Sequence, residues 1–474
     1  MTRPGTRTAI VGAGPAGFFT AEALLKGGTA VAVDIINSLP TPFGLVRDGV
    51  APDHQAIKSV ARVYQKILAR DEVRYFGNVT LGRDVTVDEL RSRYDQIVYA
   101  VGAQSDRRLN IPGEDLEGSH PALRFVAWYN GHPGFRDAEF DLGCEDVVVI
   151  GNGNVAIDVA RILVLSLDRL ATTDIADHAL EALRKSRVKR VTLLGRRGPV
   201  QASFTNPELR EFGRLDGVCA EVDASELETD AASLAALEGN AVKTRNMNTL
   251  RGYAGVGADG ARDGDRVVRF RFLVSPLEVV GEGGRVTGVR IERNRLVEQA
   301  DGYMRAMGTG ETETLPCGMM IRSVGYRGAP VPGVPFDEAR GIVPNEGGRV
   351  LAAAGSAETV PGEYVVGWAK RGPSGVIGTN KADAAGTVAL MGEDREGGVF
   401  AGGRRVGGGG AGTGGDEGLP ALLRERGVHW VDNEGWERLD AHETARGKVQ
   451  GRPRVKLCSI AEMLEAARGP ATVA

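Results

Sequence analysis

The chain has 474 residues, enough for two or three domains, and its 42% hydrophobic and 25% charged residues are ordinary for a globular protein. Glycine is enriched at 67 residues, whereas aromatic residues make up only 5%. The net charge of −4 argues against the broad cationic face of a nucleic-acid binder, and it leaves a local basic patch open.

The cysteines and the apolar runs narrow the class of protein further. The four cysteines are far apart in the chain and include no C-x-x-C pair, which predicts neither a disulfide framework nor a zinc site. No apolar run approaches the ~18 residues of a membrane helix. The first strand begins almost at the N-terminus and leaves no room for a signal peptide, so we expect a cytoplasmic protein.

Residues 7–33 are typical of a strand, turn, helix and strand, with strands predicted over 8–11 and 29–34. The turn has the G-x-G-x-x-G pattern of Gly12, Gly14 and Gly17. These glycines permit a tight turn, a close approach to a pyrophosphate, and close packing of helix on strand, respectively. The following helix N-terminus favours a phosphate. The acidic residue that usually binds the ribose is missing, because position 37 is Asn37.

A helix is predicted over 53–70, with Asp53 as its N-cap and His54 in its first turn. From spacing alone, His54 is better explained as a surface residue than as a neighbour of a redox centre. Four basic residues recur every four positions on this helix and share one sector of its surface: Lys58, Arg62, Lys66 and Arg70. This basic face is either an ordinary solvated surface or a site that attracts an acidic partner. A buried strand over 95–101 follows.

A second strand–turn–helix–strand unit begins at Asp146, with a helix predicted to reach position 170 and a strand over 191–194. Its turn, GNGNVA, repeats the glycine fingerprint over 151–156, so the chain is expected to bind two dinucleotides. Arg196 and Arg197 follow the second strand where an acidic residue would select NAD. A guanidinium pair there suits the 2′-phosphate of NADP, and a solvated charge pair is the alternative.

Further candidates follow the second unit. Glu208 and Glu211 are three residues apart on a predicted short helix and face either a cofactor or solvent. Asp158 lies one helical turn after Asn154, on the helix that follows the second glycine turn. Residues 266–297 predict an antiparallel meander, and a strand over 319–324 is expected to return the chain to the first domain. Ten of the eighteen residues in 401–418 are glycine, which predicts a flexible linker.

The run EYVVGWAKRGPSGVIGTNK (363–381) predicts a strand, a glycine-rich turn and a helix. Such a turn presents backbone N–H groups to an anion or a polarised ring. Trp368 either stacks on a planar ring or belongs to the core.

These motifs together resemble the bacterial members of the adrenodoxin-reductase-like family of ferredoxin–NADP reductases. The resemblance is carried most specifically by LVRDGVAPDH and VGWAKRGPSGVIGTNK. It implies an α/β fold of two Rossmann-like, three-layer domains. An FAD domain, residues 1–106 and 326–474, would contain an inserted NADP domain, residues 107–325.

The resemblance also implies cofactor contacts at matching positions. The residues implied for FAD, with the glycines of the first turn, are Ala16, Asn37, Leu45, Leu81, Trp368, Gly375, Val376 and Ile377. Those implied for NADP are Arg107, Asn152, Gly153, Asn154, Val155, Arg196, Arg197, Glu208 and Gly375. The resemblance places His54 and Glu211 near the flavin and the nicotinamide, which reverses the surface interpretation of His54. With Asp158 they form the candidate catalytic set.

The expected function is therefore the transfer of electrons between NADPH, bound FAD and a one-electron iron–sulfur carrier such as ferredoxin. A disulfide reductase would need a redox-active cysteine pair, and the four scattered cysteines provide none. An electron-input subunit of a larger iron–sulfur enzyme would need cysteine clusters, which are also missing. A non-catalytic flavin-binding redox sensor remains as an alternative.

Overall fold

The computed structural model describes residues 5–27, 31–254, 264–403 and 418–469. The strands are β1 (Thr6–Val11), β2 (Val31–Asn37), β3 (Val73–Gly77), β4 (Gln96–Tyr99), β5 (Ser105–Asp106), β6 (Ser119–Pro121), β7 (Asp146–Ile150), β8 (Arg190–Gly195), β9 (Val218–Val222), β10 (Arg266–Phe272), β11 (Val274–Glu282), β12 (Arg285–Glu298), β13 (Met304–Pro316), β14 (Met319–Arg322), β15 (Tyr326–Arg327), β16 (Asn345–Glu346), β17 (Arg349–Leu351) and β18 (Thr359–Val365).

The α-helices are α1 (Pro15–Lys26), α2 (Leu45–Asp48), α3 (Gln55–Lys58), α4 (Ala61–Leu68), α5 (Val87–Arg93), α6 (Ala122–Tyr129), α7 (Asn154–Val164), α8 (Leu167–Ala171), α9 (Asp177–Arg184), α10 (Asn206–Glu211), α11 (Ala231–Leu237), α12 (Ala241–Ala254), α13 (Trp368–Arg371), α14 (Thr379–Glu396), α15 (Gly418–Glu425), α16 (Asn433–Val449) and α17 (Ile460–Arg468).

The chain forms two compact units. The first lies within residues 1–50, 54–105 and 325–474, and the second within residues 51–53 and 106–324. Each unit is built around its own sheet, which is wholly parallel in the second unit and parallel except for two edge strands in the first. The expected α/β fold with two Rossmann-like domains is therefore confirmed.

The sheet of the first unit has the order β16-β17-β18-β4-β1-β2-β3, and its five strands from β18 to β3 are parallel. Successive residues of β1 enter different cores, because Ile10 packs with Phe18 and Tyr64 on one face while Val11 packs with Tyr99 on the other. The sheet is covered on both faces, as a three-layer architecture requires.

The C-terminal part of the chain completes the first unit. Trp436 of α16 packs at right angles against Phe43, with ring centroids 5.3 Å apart. Glu443 of α16 is fully buried and bonds the guanidinium of Arg47 at 2.6 and 2.8 Å. Burial raises the pKa of Glu443, but the Arg47 pair outweighs it and holds that pKa below its ordinary value. The C-terminal helices thereby fasten the loop around α2.

The sheet of the second unit is parallel throughout, in the order β6-β14-β7-β8-β10-β9. Two sequence expectations are corrected here. The segment 266–272, expected in an antiparallel meander, is a central parallel strand between β8 and β9. The strand expected to return the chain to the first domain is β14, which pairs with β7 inside the second unit. The antiparallel sheet consists instead of β11, β12 and β13.

The helix predicted over 53–70 is divided into α3 and α4. The hydroxyl of Ser59 donates to the carbonyl of Ala56 at 2.6 Å, a local bond that competes with the helical ladder at this point. The helix predicted to reach position 170 is likewise interrupted, because Ser166 caps a new helix, α8, by accepting from the N–H of Arg169. Most of the predicted linker, residues 404–417, lies outside the described residues.

Candidate functional site

The first glycine turn joins β1 to α1 and has the geometry that its sequence predicts. Gly12 has a φ of +116°, and a Cβ there would lie 2.3 Å from the carbonyl oxygen of Ala100. A Cβ at Gly17 would lie 2.1 Å from the carbonyl oxygen of Gly12. Both approaches exclude any side chain, so Gly12 shapes the turn and Gly17 lets the helix pack closely.

Gly14 occupies the open side of the same turn. It is the N-cap residue of α1, no side chain caps the helix, and a Cβ at Gly14 would meet nothing within 4 Å. The first-turn N–H groups of an uncapped helix need partners, and an anion satisfies both their hydrogen bonds and the helix dipole. Ala16 follows in this first turn.

Asn37, the last residue of β2, ties the glycine turn to the loop that follows it. Its Oδ1 accepts from the backbone N–H of Ala13 at 3.2 Å, and its Nδ2 donates to the carbonyls of Leu39 and Thr41, each at 3.0 Å. The amide proposed from sequence as a ribose ligand is thus engaged in holding its own loop. Any ribose contact is left to the remaining lone pair of Oδ1.

The segment from Trp368 to Ile377 lies beside the first turn, because a Cβ at Gly367 would come 2.6 Å from Cβ of Ala16. The Trp368 indole donates to the carbonyl of Ser374 at 3.1 Å and stacks on Tyr326, with ring centroids 5.6 Å apart. Val376 is 65% exposed and presents an apolar side chain on this segment.

Several buried polar atoms in the described part of the first unit have no hydrogen-bond partner. Two of them lie close to the glycine-rich segments: Thr41 Oγ1, in the loop that Asn37 holds, and Nε of Arg371, in α13. Leu45 begins α2 directly after Gly44, where a Cβ would lie 3.0 Å from Cα of Gly14 in the first glycine turn. Leu81 packs in the core against residues of β1 and β2. An uncapped helix, an open glycine and orphaned polar atoms together fit a dinucleotide such as FAD.

The second glycine turn, between β7 and α7, repeats the geometry in the second unit. Gly151 has a φ of +138°, and a Cβ there would lie 2.2 Å from the carbonyl oxygen of Ser323. Gly153 is the N-cap residue of α7, which no side chain caps, and a Cβ at Gly153 would meet nothing within 4 Å. The site fits a second pyrophosphate.

The backbone N–H groups of residues 203–205 hold this turn through hydrogen bonds. The Asn152 carbonyl accepts from the N–H groups of Ser203 and Phe204, and Asn154 Oδ1 accepts from the N–H of Thr205 at 2.8 Å. Val155 lies in the first turn of α7.

Of the remaining residues expected to bind NADP, Arg107, Arg196, Arg197 and Glu208 lie in the second unit, whereas Gly375 lies in the first. Arg196, which is exposed, and Arg197, which is half-buried, follow the end of β8 directly. Within the described residues, Glu208 Oε2 is buried without a hydrogen-bond partner, as a ligand-facing carboxylate would be before binding. Arg107 is exposed.

Arg161 is a buried cation next to two of the candidate site residues, and the sequence analysis did not single it out. It is fully buried and donates to the two carboxylate oxygens of Asp53 at 2.8 and 3.0 Å. It also pairs with Asp158 at 2.8 Å and with Glu211 at 3.3 Å. Burial lowers its pKa, but the three carboxylates outweigh burial and raise that pKa well above the ordinary value. The signal was present, since an arginine in the apolar run VARILV, three residues after Asp158, predicts a buried ion pair.

The candidate catalytic residues are therefore distributed over both units. Asp158 and Glu211 come together around Arg161 in the second unit, whereas His54, the N-cap residue of α3, belongs to the first.

All four cysteines are free, and burial raises the pKa of Cys317 to about 12 and that of Cys144 to about 11, which disfavours the reactive thiolate form of these two. Among the described helices, none combines the length and apolar character that a membrane span requires.

Comparisons with known proteins agree with this geometry. A family model described as pyridine nucleotide-disulphide oxidoreductase matches residues 6–214. The NADPH-ferredoxin reductase FprA of Mycobacterium tuberculosis is 48% identical over 478 residues, covering 97% of this chain and 99% of that protein. Human mitochondrial NADPH:adrenodoxin oxidoreductase is 43% identical over 463 residues, covering 96% of this chain and 90% of that protein.

A solved structure of Mycobacterium tuberculosis FprA in complex with NADPH matches with a TM-score of 0.89 at 48% identity, covering 98% of this chain and 100% of that one. Identity at this level over nearly the whole of both chains identifies the family. The chain belongs to the family of NADPH-ferredoxin and NADPH:adrenodoxin reductases.

Proposed function

We propose that the protein moves electrons from NADPH through bound FAD to a ferredoxin-type iron–sulfur carrier, with FAD in the first unit and NADPH in the second. The observation that carries this assignment is the pair of uncapped helices, α1 and α7, each behind an open glycine. Only the second is followed by an arginine pair, which suits the 2′-phosphate that distinguishes NADPH.

The first unit would hold FAD through its glycine turn and the 368–377 segment. The first-turn N–H groups of α1 would bind the pyrophosphate, while Asn37 keeps the neighbouring loop closed. Backbone groups of Gly375, Val376 and Ile377 would face the ring, where the exposed Val376 gives an apolar surface. When bound, FAD supplies a ring that accepts a hydride and releases electrons one at a time.

The second unit would bind NADPH by charge at both ends of the molecule. Arg196 and Arg197 would take the 2′-phosphate, and the residues from Asn152 to Val155 the pyrophosphate. Glu211 and Asp158, held by Arg161, would lie near the nicotinamide. With the nucleotide bound, their negative charge would stabilise the positively charged oxidised ring relative to the neutral reduced ring.

The partner surface that we propose is smaller than the sequence suggests. Lys58 is only 8% exposed, and Arg70 is paired with Glu72 at 2.9 Å, so the basic face is reduced to Arg62 and Lys66. These two exposed cations on α4 would attract an acidic carrier. We also propose that the protein is cytoplasmic.

The test is direct. The purified protein should release FAD on denaturation and should oxidise NADPH over many turnovers when ferredoxin is in excess, with two ferredoxins reduced per NADPH. A flavin-binding redox sensor would contain FAD yet fail to turn over, and a protein that neither contains nor takes up FAD would overturn the proposal.

A further inference from the structure

The turn that carries Arg196 and Arg197 is fastened to the antiparallel sheet of the second unit. Asn294 of β12 is 5% exposed, and its Nδ2 donates to the carbonyl of Arg196 and to Ser275 Oγ, each at 2.8 Å. The N–H of Leu273 donates to the carbonyl of Arg197 at 3.1 Å. The Arg196 carbonyl is therefore held by a residue of this sheet, and the Arg197 carbonyl by the residue directly before its first strand, β11.

The sheet also contacts the Arg197 side chain. The guanidinium carbon of Arg197 lies 5.2 Å from the ring centroid of Tyr303, within the range of a cation–π interaction. Its Nη2 also approaches the carbonyl of Gln201 at 3.4 Å. A ring face and a carbonyl thus restrict a side chain that would otherwise sample many rotamers.

Tyr303 is presented on an ordered turn between β12 and β13. Its N–H donates to Asp301 Oδ1 at 3.0 Å, and its carbonyl accepts from the N–H of Gln299 at 2.9 Å. The side chain is nevertheless 45% exposed. The ring therefore contributes little to the core, and its contact with the Arg197 guanidinium is the interaction that the structure records for it.

We propose that Tyr303 is a positioning residue for NADPH, which holds the Arg197 guanidinium ready for the 2′-phosphate and so makes the antiparallel sheet part of the nucleotide specificity. The inference rests on the proposed 2′-phosphate site at Arg196 and Arg197. Ordering the arginine before binding removes an entropic cost that would otherwise weaken binding. NADH has no 2′-phosphate, so its binding gains nothing from Tyr303.

The size of the effect follows from the strength of such contacts. A cation–π contact at an exposed site corresponds to about a two- to fivefold change in affinity. We therefore expect Tyr303→Leu to raise the KM for NADPH and the Kd for NADP⁺ by about that factor. The kcat and the kinetics with NADH should be unchanged.

The experiment compares Tyr303→Leu, Tyr303→Phe, Arg197→Gln and the Leu–Gln double variant in the FAD-loaded protein. Met307→Ala is the matched control, because Met307 is 40% exposed on β13 and has no place in the proposed site. Kinetics with NADPH and NADH use ferricyanide as acceptor, and the Kd values for NADP⁺ and NAD⁺ are measured by calorimetry. Tyr303→Phe should resemble the parent protein because the ring is retained.

The outcomes separate the inference from the function on which it rests. In the Arg197→Gln background, Tyr303→Leu should have no further effect. Equal weakening of NADPH and NADH would mean that the ring contacts the shared adenosine part, and it would overturn the inference, as would parental kinetics of Tyr303→Leu. If Arg197→Gln itself left the preference for NADPH unchanged, the proposed 2′-phosphate site would be wrong.

Discussion

The guanidinium of Arg161 and the carboxylate of Asp53 form a two-bond ion pair, with distances of 2.8 and 3.0 Å, in which both side chains are almost completely buried. The pair draws residues 51–53 into the second unit, next to Asp158 and Glu211. Three carboxyl groups share one cation, so this guanidinium supports the carboxylates that we propose for the nicotinamide site.

Removing the Arg161 guanidinium should destabilise the protein. We expect Arg161→Met to lower the free energy of unfolding by about 3–5 kcal/mol, because buried carboxylates would lose their counter-ion. Arg161→Lys keeps the charge but loses the two-bond geometry, so its free energy of unfolding should lie between those of the parent protein and Arg161→Met. Chemical unfolding with FAD bound measures the effect. The control is Arg184→Met, which removes an exposed arginine 3.7 Å from an exposed glutamate and should change stability little. Equal stability of both methionine variants would contradict this role.

Asn37 yields a prediction about cofactor retention. Asn37→Asp keeps the size of the side chain but replaces the donor to Leu39 and Thr41 with a second acceptor. The loss of these partly buried bonds should weaken FAD binding by about 1–3 kcal/mol. Fluorescence of released FAD at increasing dilution gives the Kd. Asn78→Asp, which removes an exposed bond to the His429 carbonyl in the same unit, serves as the control. Parental FAD affinity of Asn37→Asp would show that the loop does not depend on this amide.

The sequence predicted the parts of the site that local geometry dictates. Gly12, Gly17 and Gly151 are required by approaches to backbone atoms that leave no room for Cβ, and such positions are visible as glycine spacing. Prediction from the sequence failed where a contact joins segments that are distant in the chain. The bond from Arg161 to Asp53 spans 108 residues, and the burial of Lys58 depends on packing that helical periodicity does not show.

Alternation of residue types also misled the assignment of β10. The pattern in 266–272 is typical of an antiparallel strand, but one face of β10 is polar because Arg269 pairs with Glu221 of the neighbouring parallel strand. Apolar alternation reports which faces are buried and leaves the direction of the neighbouring strand open.

The arginine pair should determine nucleotide preference. Charge-assisted hydrogen bonds contribute about 1.5–3 kcal/mol each, so two of them give on the order of 10²-fold preference for NADPH or more. Replacing Arg196 and Arg197 together by Ala should remove most of that preference while kcat/KM for NADH stays nearly constant. The preference is measured as the ratio of kcat/KM for NADPH to kcat/KM for NADH in steady-state kinetics. Equal use of NADPH and NADH by the parent protein would refute the assignment.

The surface of α4 should matter for the protein partner alone. Reversing Arg62 and Lys66 to Glu should raise the KM for ferredoxin at low ionic strength and leave ferricyanide reduction intact, because a small acceptor needs no docking surface. Salt should reduce the difference between variant and parent. The control is the reversal of Arg184 and Lys185 to Glu, which makes the same change in charge at two exposed residues of the second unit. Unchanged ferredoxin kinetics in the double reversal would place the docking surface elsewhere.

The central claim is that NADPH reduces FAD on this chain and that the electrons then pass to an iron–sulfur carrier. Anaerobic titration of the purified protein with NADPH up to one equivalent of FAD, followed by at least two equivalents of oxidised ferredoxin because each accepts one electron, tests both steps in one cuvette. We predict that NADPH bleaches the visible flavin absorbance and that ferredoxin then restores it while becoming reduced. A flavin spectrum that NADPH leaves unchanged, or a reduced flavin that ferredoxin does not reoxidise, would contradict the account.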